Sequence, residues 1–318
     1  MIFQANILFN FALKNYFMKE KKYHSKLLLF GEHTVNLGSQ ALAMPLQMFE
    51  ANWEFSEDKS MQFGMKKFAF FLKDLQESGD ALYNIDCERF IHDLKNGLIF
   101  KSQVPTGYGA GSSGSLCAAI YDTYSIEKLE GKWNELEHLK KIFSQMESYF
   151  HGKSSGIDPL ICYLNEPLLL TSQGATTVTL PTYLNGGNAV FLLDTAIKRK
   201  AEPLIHWFME QSQNIDFQQL IKEKLVPANN LAIAAFLEGH WTNLMKAAHD
   251  ISVFQLENLL RLVPSDFISV WAEGIESDLF KLKICGAGGG GFILGITKNF
   301  EETKNVLRDY KLIKAFPN

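Results

Sequence analysis

The sequence predicts an α+β chain of two domains. Its 318 residues exceed the roughly 100–150 residues of a typical domain. Through the first half, short apolar runs of strand character alternate with stretches of helical spacing. Around Gly186-Gly187 the pattern changes to a long, almost wholly helical stretch that closes on two returning strands. A boundary is expected near residues 180–188. It gives an N-terminal domain of residues 18–185 and a C-terminal domain of residues 186–318, with residues 1–17 as an extension.

Taken in order, Lys26–Phe30 is a short apolar run ending at Gly31 and reads as a buried strand, and Ala41–Glu54 follows as a second. Met65–Glu77 carries Phe68, Phe71, Leu72 and Leu75 at helical spacing, and Cys87–Leu94 is similar. Gly97–Val104 reads as a strand. The glycine-rich segment after it leads into a small-residue helix with Leu116, Ile120 and Tyr124 on one stripe. Trp133–Phe150 is a long amphipathic helix stopping near His151-Gly152, followed by predicted strands at Leu160–Leu164 and Leu168–Thr171. Ala189–Asp194 reads as a buried strand. From Ala201 to Ser277 the pattern is helical, with breaks expected near Pro227, Gly239 and Pro264. Strands Leu279–Cys285 and Phe292–Ile296 flank GAGGGG, and Phe300–Tyr310 is a last helix.

Composition excludes several classes. Apolar residues make up 47%, with 25 Phe, 10 Tyr and 5 Trp, enough for a large core and wrong for a disordered or fibrous chain. The net charge of −4 offers no basic field for nucleic acid. Cys87, Cys117, Cys162 and Cys285 form no CxxC pair, and the eight histidines show no HExxH spacing. Reduced thiols in the cytoplasm are expected, with no protein-held zinc. Met1–Phe17 is apolar with a single lysine, Lys14. It lacks the charged start and small-residue end of a signal peptide, and is too short and interrupted to span a bilayer. Met18 reads as the natural start, with an amphipathic docking helix as the alternative.

The chemistry-bearing segment is Val104–Ser115, VPTGYGAGSSGS, set before a helix. Glycines let backbone N–H groups turn toward a ligand, and a helix N-terminus adds free amides and the positive end of its dipole. Ser112 and Ser113 stand where an N-cap belongs, with hydroxyls suited to phosphate oxygen or magnesium. The parts make an anion cradle for a nucleotide triphosphate, although the segment is neither a Walker A loop nor GxGxxG. A ligand-free Gly/Ser hairpin is the alternative for this loop taken alone. Four consecutive glycines in Gly286–Gly291 are costly in chain entropy, and close backbone approach explains them best.

Four segments together resemble the GHMP kinases, the family named for galactokinase, homoserine, mevalonate and phosphomevalonate kinases. SKLLLFGEHTVNLGSQALAMPL is similar to the family's first motif, PTGYGAGSSGSL to its ATP loop and KICGAGGGGF to its third motif. HGKSSGID resembles the HGxPSGxD stretch of the mevalonate kinases. The matches run in family order from about Lys26 to the end of the chain. The resemblance implies an N-terminal domain like ribosomal protein S5 domain 2, a ferredoxin-like C-terminal domain, and an active site between them. It implies ATP and Mg2+ as cofactors, with Pro105, Gly107, Tyr108, Gly109, Ala110, Gly111, Ser112, Ser113 and Gly114 binding the nucleotide.

The site roles follow from the same resemblance. An alcohol is a poor nucleophile until its proton is drawn off, and Asp158 matches the family's base, with Lys26 against it to offset charge. Read alone, Asp158 is a turn or helix-capping residue before Pro159, and Lys26 a lysine at a strand end. Glu147, eleven residues before Asp158, matches a magnesium-binding glutamate, and Ser113 the serine ligand, although either serine fits the physics. Glu32, His33, His151, Gly156, Arg199 and Gly288 are the expected substrate residues. Arg199 suits a carboxylate, since a guanidinium grips it with two prongs. Ala201 stands where a threonine is expected, Cys285 replaces a threonine before GAGGGG, and Tyr108 and Ala110 alter the first loop.

The expected activity is transfer of the ATP γ-phosphoryl group to a hydroxyl, most readily that of mevalonate. Phosphomevalonate or sugar kinases, and a non-catalytic nucleotide sensor on the same scaffold, are the alternatives. A small hydroxylated substrate is the expected partner, without nucleic acid or membrane, and a homodimer is left open.

Overall fold

The computed structural model describes residues 20–58, 62–104, 108, 111–181 and 187–316. Residues 1–17, Met18, Pro105, Gly107, Gly109, Ala110 and most of the expected boundary at 180–188 lie outside the described residues. Strands and helices mix as an α+β chain with antiparallel sheets. In one sheet, strands β1 (Tyr23–Phe30), β2 (Ala41–Phe55), β4 (Leu168–Thr171) and β5 (Gly174–Thr177) are neighbours in that order, and β3 (Leu98–Ser102) also pairs with β2. In the other, the order is β7 (Phe280–Ile284), β8 (Phe292–Thr297), β6 (Ala189–Asp194) and β9 (Lys311–Lys314).

The chain forms two compact units. The first comprises Met1–Lys26, Pro45–Val104 and Ala110–Glu166; the second comprises Leu27–Met44, Pro105–Gly109 and Pro167–Asn318.

In the first unit, β3 pairs antiparallel with the C-terminal part of β2, Ala51 opposite Ser102 and Phe55 opposite Leu98. Among the described residues five α-helices accompany it: α1 (Gln62–Glu77), α2 (Cys87–Lys95), α3 (Ser112–Tyr124), α4 (Leu136–His151) and α5 (Ile157–Leu164). Trp53 and Tyr124 are fully buried and meet Phe90, whose ring lies 4.8 Å from that of Tyr124. The Trp53 indole N–H finds Thr123 Oγ1 at 3.0 Å, so the buried aromatic is also satisfied as a donor. Gly114, Ser115, Ala118 and Ala119 make α3 thin enough for α5 to lie close. A Cβ at Gly114 would stand 3.0 Å from the carbonyl carbon of Asp158.

Leu160–Leu164 is a correction: these residues are helical, in α5, not a strand. A run that is apolar on every side carries no period to separate the two. Gly156, at φ 73°, starts the helix, and Pro159 falls in its first turn, where no N–H is required. Pro227 also fails to break the chain. A π-helical turn, Ile221–Leu225, joins α7 (Ile215–Leu220) to α8 (Val226–Leu237), and Pro227 sits in the opening turn of α8.

The second unit carries the antiparallel sheet β7-β8-β6-β9, together with α6 (Ala201–Gln211), α7, α8, α9 (Trp241–Asn258), α10 (Ile268–Glu276) and α11 (Phe300–Val306). β6 and β8 are buried along nearly their whole length, which is why both read as continuous apolar runs. β7 buries Lys281 and Lys283 among its apolar residues. Lys281 Nζ donates to the carbonyls of Gly274, Ile275 and Ser277 and so closes the C-terminus of α10. Cys87, Cys117 and Cys162 are buried free thiols and Cys285 is half-buried. No helix among the described residues is long and apolar enough to cross a membrane.

Candidate active site

In the first unit, four segments bring Lys26, Ser113, Glu147, His151 and Asp158 into one cluster. Lys26 projects from β1, and its Nζ lies 2.9 Å from Asp158 Oδ2 in the first turn of α5. The lysine is mostly buried and the aspartate about one-third exposed, so the carboxylate stays reachable from solvent. Gly111, at φ 78°, begins α3, and a Cβ there would meet Lys26 Cγ at 2.9 Å. Glycine at this position therefore lets the lysine stem pass beside the helix start. Gly111 is the N-cap and makes no side-chain cap bond, a correction to the expected Ser112 or Ser113 cap. The first amides of this 13-residue helix remain available to an anion.

Ser113 turns its hydroxyl to Glu147 Oε1 at 3.1 Å, with His151 Nε2 at the same distance. Glu147, in the last turns of α4, is 4% exposed and pairs with no lysine or arginine among the described residues. Burial raises its carboxyl above the usual range, and the nearby Asp158 charge raises it further. Ser154 was missed in the sequence. Its hydroxyl donates to Glu147 Oε2 at 2.5 Å and accepts from Gly156 N at 3.0 Å. The only signal was its place in the HGKSSGID motif, where two adjacent serines compete for attention.

A buried carboxylate facing another carboxylate, with a hydroxyl beside it, is an electrostatic arrangement that a hard divalent cation relieves. No group of three or more His, Cys, Asp or Glu able to hold a metal occurs among the described residues. The Ser113 and Glu147 oxygens are hard donors of the kind that magnesium takes beside waters and phosphate oxygens.

The second unit holds Glu32, His33, Arg199, Lys283 and the Gly286–Gly291 loop. Glu32 and Lys283 form a buried ion pair of 2.7 Å, their side chains 2% and 3% exposed. Glu32 Oε1 accepts from Gly286 N at 3.3 Å, so the pair reaches the start of the glycine loop. Lys283 was not anticipated; its signals were two lysines alternating with apolar residues in Phe280–Ile284, and a glutamate in GEH that would need a cation. Arg199 donates from Nη1 to Cys285 O at 2.7 Å, while its Nε is buried without a partner. Gly286, at φ 64°, leaves room for the guanidinium, 2.8 Å from where a Cβ would stand. Gly288 packs on the Leu262 carbonyl, and Gly156, in the first unit, on that of Lys140. Both are close backbone approaches that exclude a side chain.

His33 takes a left-handed backbone, φ 66°, and its ring lies 4.7 Å from that of Phe208. Its Nδ1 is buried without a partner. Burial, then the charges of Lys283 and Arg199, hold the imidazole down to about 3. A histidine depressed in the folded state is neutral there while the unfolded chain takes up a proton below about pH 6.5. Its share of stability is thus intact above that pH and is lost as pH falls toward 3. His33→Asn tolerates the same backbone. Urea unfolding should show the stability gap between wild type and variant shrinking by up to about 2 kcal/mol from pH 7 to pH 5. A gap that stays constant over this range would place the proton elsewhere.

Comparison with known proteins adds an independent line. A family model described as "GHMP kinases N terminal domain" matches residues 74–166, and "GHMP kinases C terminal" matches residues 232–312; together they cover more than half of the chain. A mevalonate kinase of Thermococcus gammatolerans is 28% identical over 159 residues, covering 43% of this chain and 47% of that protein. The chain thus spans about half the length of the curated relatives it matches. The crystal structure of the Lin0012 protein of Listeria innocua has a TM-score of 0.65 at 13% identity, covering 92% of this chain and 95% of its own. The Streptococcus pneumoniae phosphomevalonate kinase in complex with phosphomevalonate and AMPPNP has a TM-score of 0.62 at 16% identity, covering 92% and 99%. These structures share the two-domain fold.

Proposed function

The chain belongs to the GHMP kinase family, and from that premise we propose an ATP-dependent phosphotransferase whose acceptor is an alcohol, mevalonate being converted to 5-phosphomevalonate. The observation that carries this reading is the Lys26–Asp158 ion pair beside the open N-terminus of α3. Asp158 accepts the proton of the acceptor hydroxyl as its oxygen bonds to the γ-phosphorus and the bond to the ADP oxygen breaks. Lys26 orients Asp158 and offsets the charge gathering on the transferred group. The α3 amides and the glycine-rich loop bind the phosphates. Ser113 and Glu147 are the residues that would hold Mg2+, which when bound neutralises phosphate charge.

Arg199 supports a carboxylate-bearing acceptor. It makes no ion pair among the described residues, and its unpartnered Nε lies in the same cluster as the unpartnered Nδ1 of His33. Glu32 and Lys283 neutralise each other, so the cluster suits one carboxylate rather than a sugar. Four cysteines without a CxxC spacing fit a reducing, cytoplasmic location.

A coupled ADP-release assay tests the reading, with R-mevalonate, phosphomevalonate, galactose and homoserine as acceptors. R-mevalonate should give the highest kcat/KM. Faster turnover of another acceptor overturns the substrate, and ADP release with none of them overturns the transferase reading.

A further inference from the structure

Ser154 is fastened through both its backbone and its side chain, always to residues of the first unit. Its carbonyl accepts from Ser144 Oγ of α4 at 2.6 Å. Its hydroxyl accepts from Gly156 N at 3.0 Å, which leaves the hydroxyl proton for Glu147 Oε2 at 2.5 Å. Gly156 itself lies against α4: a Cβ there would overlap the Lys140 carbonyl oxygen and stand 2.6 Å from Ser144 N. The turn between α4 and α5 is thus strapped to the helix that carries Glu147. In the HGxPSGxD stretch that this segment resembles, proline stands at the position of Ser154. Proline stiffens a turn by fixing φ. Serine supplies no such stiffness, and here hydrogen bonds take its place.

Glu147 is 4% exposed, and a carboxylate so buried needs partners on its oxygens. Ser113 Oγ donates to Oε1 at 3.1 Å and Ser154 Oγ to Oε2. The two partners differ in what else they can do. The Ser113 hydroxyl also has His151 Nε2 at 3.1 Å and stands at the start of α3, where a ligand would arrive. The Ser154 hydroxyl is committed on both sides, to the Gly156 amide and to the carboxylate. A carboxyl group turns about its last bond with little hindrance, so a bond that fixes one oxygen also decides where the other points.

We propose that Ser154 is a positioning residue for a divalent cation: its hydroxyl holds Glu147 Oε2 and so keeps Oε1 turned toward Ser113. The role rests on reading Ser113 and Glu147 as the residues that would hold Mg2+.

The test is calorimetric titration of the full chain with Mg-ADP and, in EDTA, with metal-free ADP. Wild type should bind Mg-ADP more tightly than metal-free ADP. Ser154→Ala deletes one hydroxyl from a half-buried turn and should raise the Mg-ADP dissociation constant about tenfold, the loss expected when a ligating side chain is deprived of its hydrogen-bond partner. Its affinity for metal-free ADP should stay within about twofold of wild type, because the hydroxyl acts through the carboxylate and not on the nucleotide. A Ser154→Ala variant with Mg-ADP affinity within about twofold of wild type, or one that loses metal-free ADP to the same extent, overturns the role. Glu147→Gln separates this result from failure of the metal reading. If that variant binds Mg-ADP as wild type does, or if wild type binds Mg-ADP and metal-free ADP alike, the metal reading falls and this role with it. Mg-ADP affinity lost in Glu147→Gln and kept in Ser154→Ala overturns this role alone.

Discussion

Asparagine in place of Asp158 is expected to lower turnover by about 10²–10⁴-fold in the ADP-release assay, the range that a positioned proton acceptor contributes. The substitution keeps the shape and the hydrogen bonds of the first turn of α5, so the packing of that turn on Gly114 should survive. What changes is the charge 2.9 Å from Lys26. The amide cannot take the acceptor's proton, and the lysine loses its counter-charge. Nucleotide affinity should change little, because the α3 amides and Ser113 are untouched. Calorimetric titration with Mg-ADP separates the two effects: near-normal binding with collapsed turnover marks a chemical role. Turnover within about fivefold of wild type would remove Asp158 from the mechanism.

The second large effect is on stability. Lys283→Met should cost about 3–5 kcal/mol, because it removes the ion-pair partner of the buried Glu32 and leaves only the Arg199 charge within electrostatic reach. Glu32→Gln should cost a similar amount by stranding the ammonium, although Lys283 keeps the Ile284 carbonyl at 2.8 Å as a partial substitute. The double variant Glu32→Gln/Lys283→Met removes both charges and should recover most of the loss, since a matched apolar replacement of a buried pair is often close to neutral. Urea unfolding read by linear extrapolation measures all three. A single-variant loss below about 1 kcal/mol would mean that water reaches the pair. The Gly286 N–H to Glu32 bond predicts a second consequence, a looser glycine loop in either single variant.

Most strands and helices were legible because their patterns carry a period. α1 and α4 present clean amphipathic stripes, and the buried strands of the second unit read as short apolar runs bounded by glycine. The segment Leu160–Leu164 was not legible, since a run of five apolar and aromatic residues is too short to show a helical or a strand period. Pro227 misled for a different reason. Its missing N–H matters only within a regular helix, and the π-helical turn before it supplies a fresh start. At the candidate site, Lys26, Ser113, Glu147 and Asp158 were picked out through the motifs, and the structure sets them in one cluster. Ser154 and Lys283 were not, because their roles depend on partners: Ser154 on a carboxylate seven residues away, Lys283 on one 251 residues away. The Lys281 seat on the α10 carbonyls belongs to the same class. Alternation along β7 puts Lys281 and Lys283 on one side of the strand, but nothing local says that side is buried.

The interleaved make-up of the two units constrains how the polypeptide can be assembled. The first unit has all its residues once Glu166 is synthesised, whereas Leu27–Met44 belongs with residues 167–318. During translation this early stretch must wait for residues from the last half of the chain. β6 likewise waits for β8 and β9, more than ninety residues downstream. Such distant pairings raise contact order and slow folding. They also mean that no cut of the gene at a single codon separates the two units, each whole, from one another.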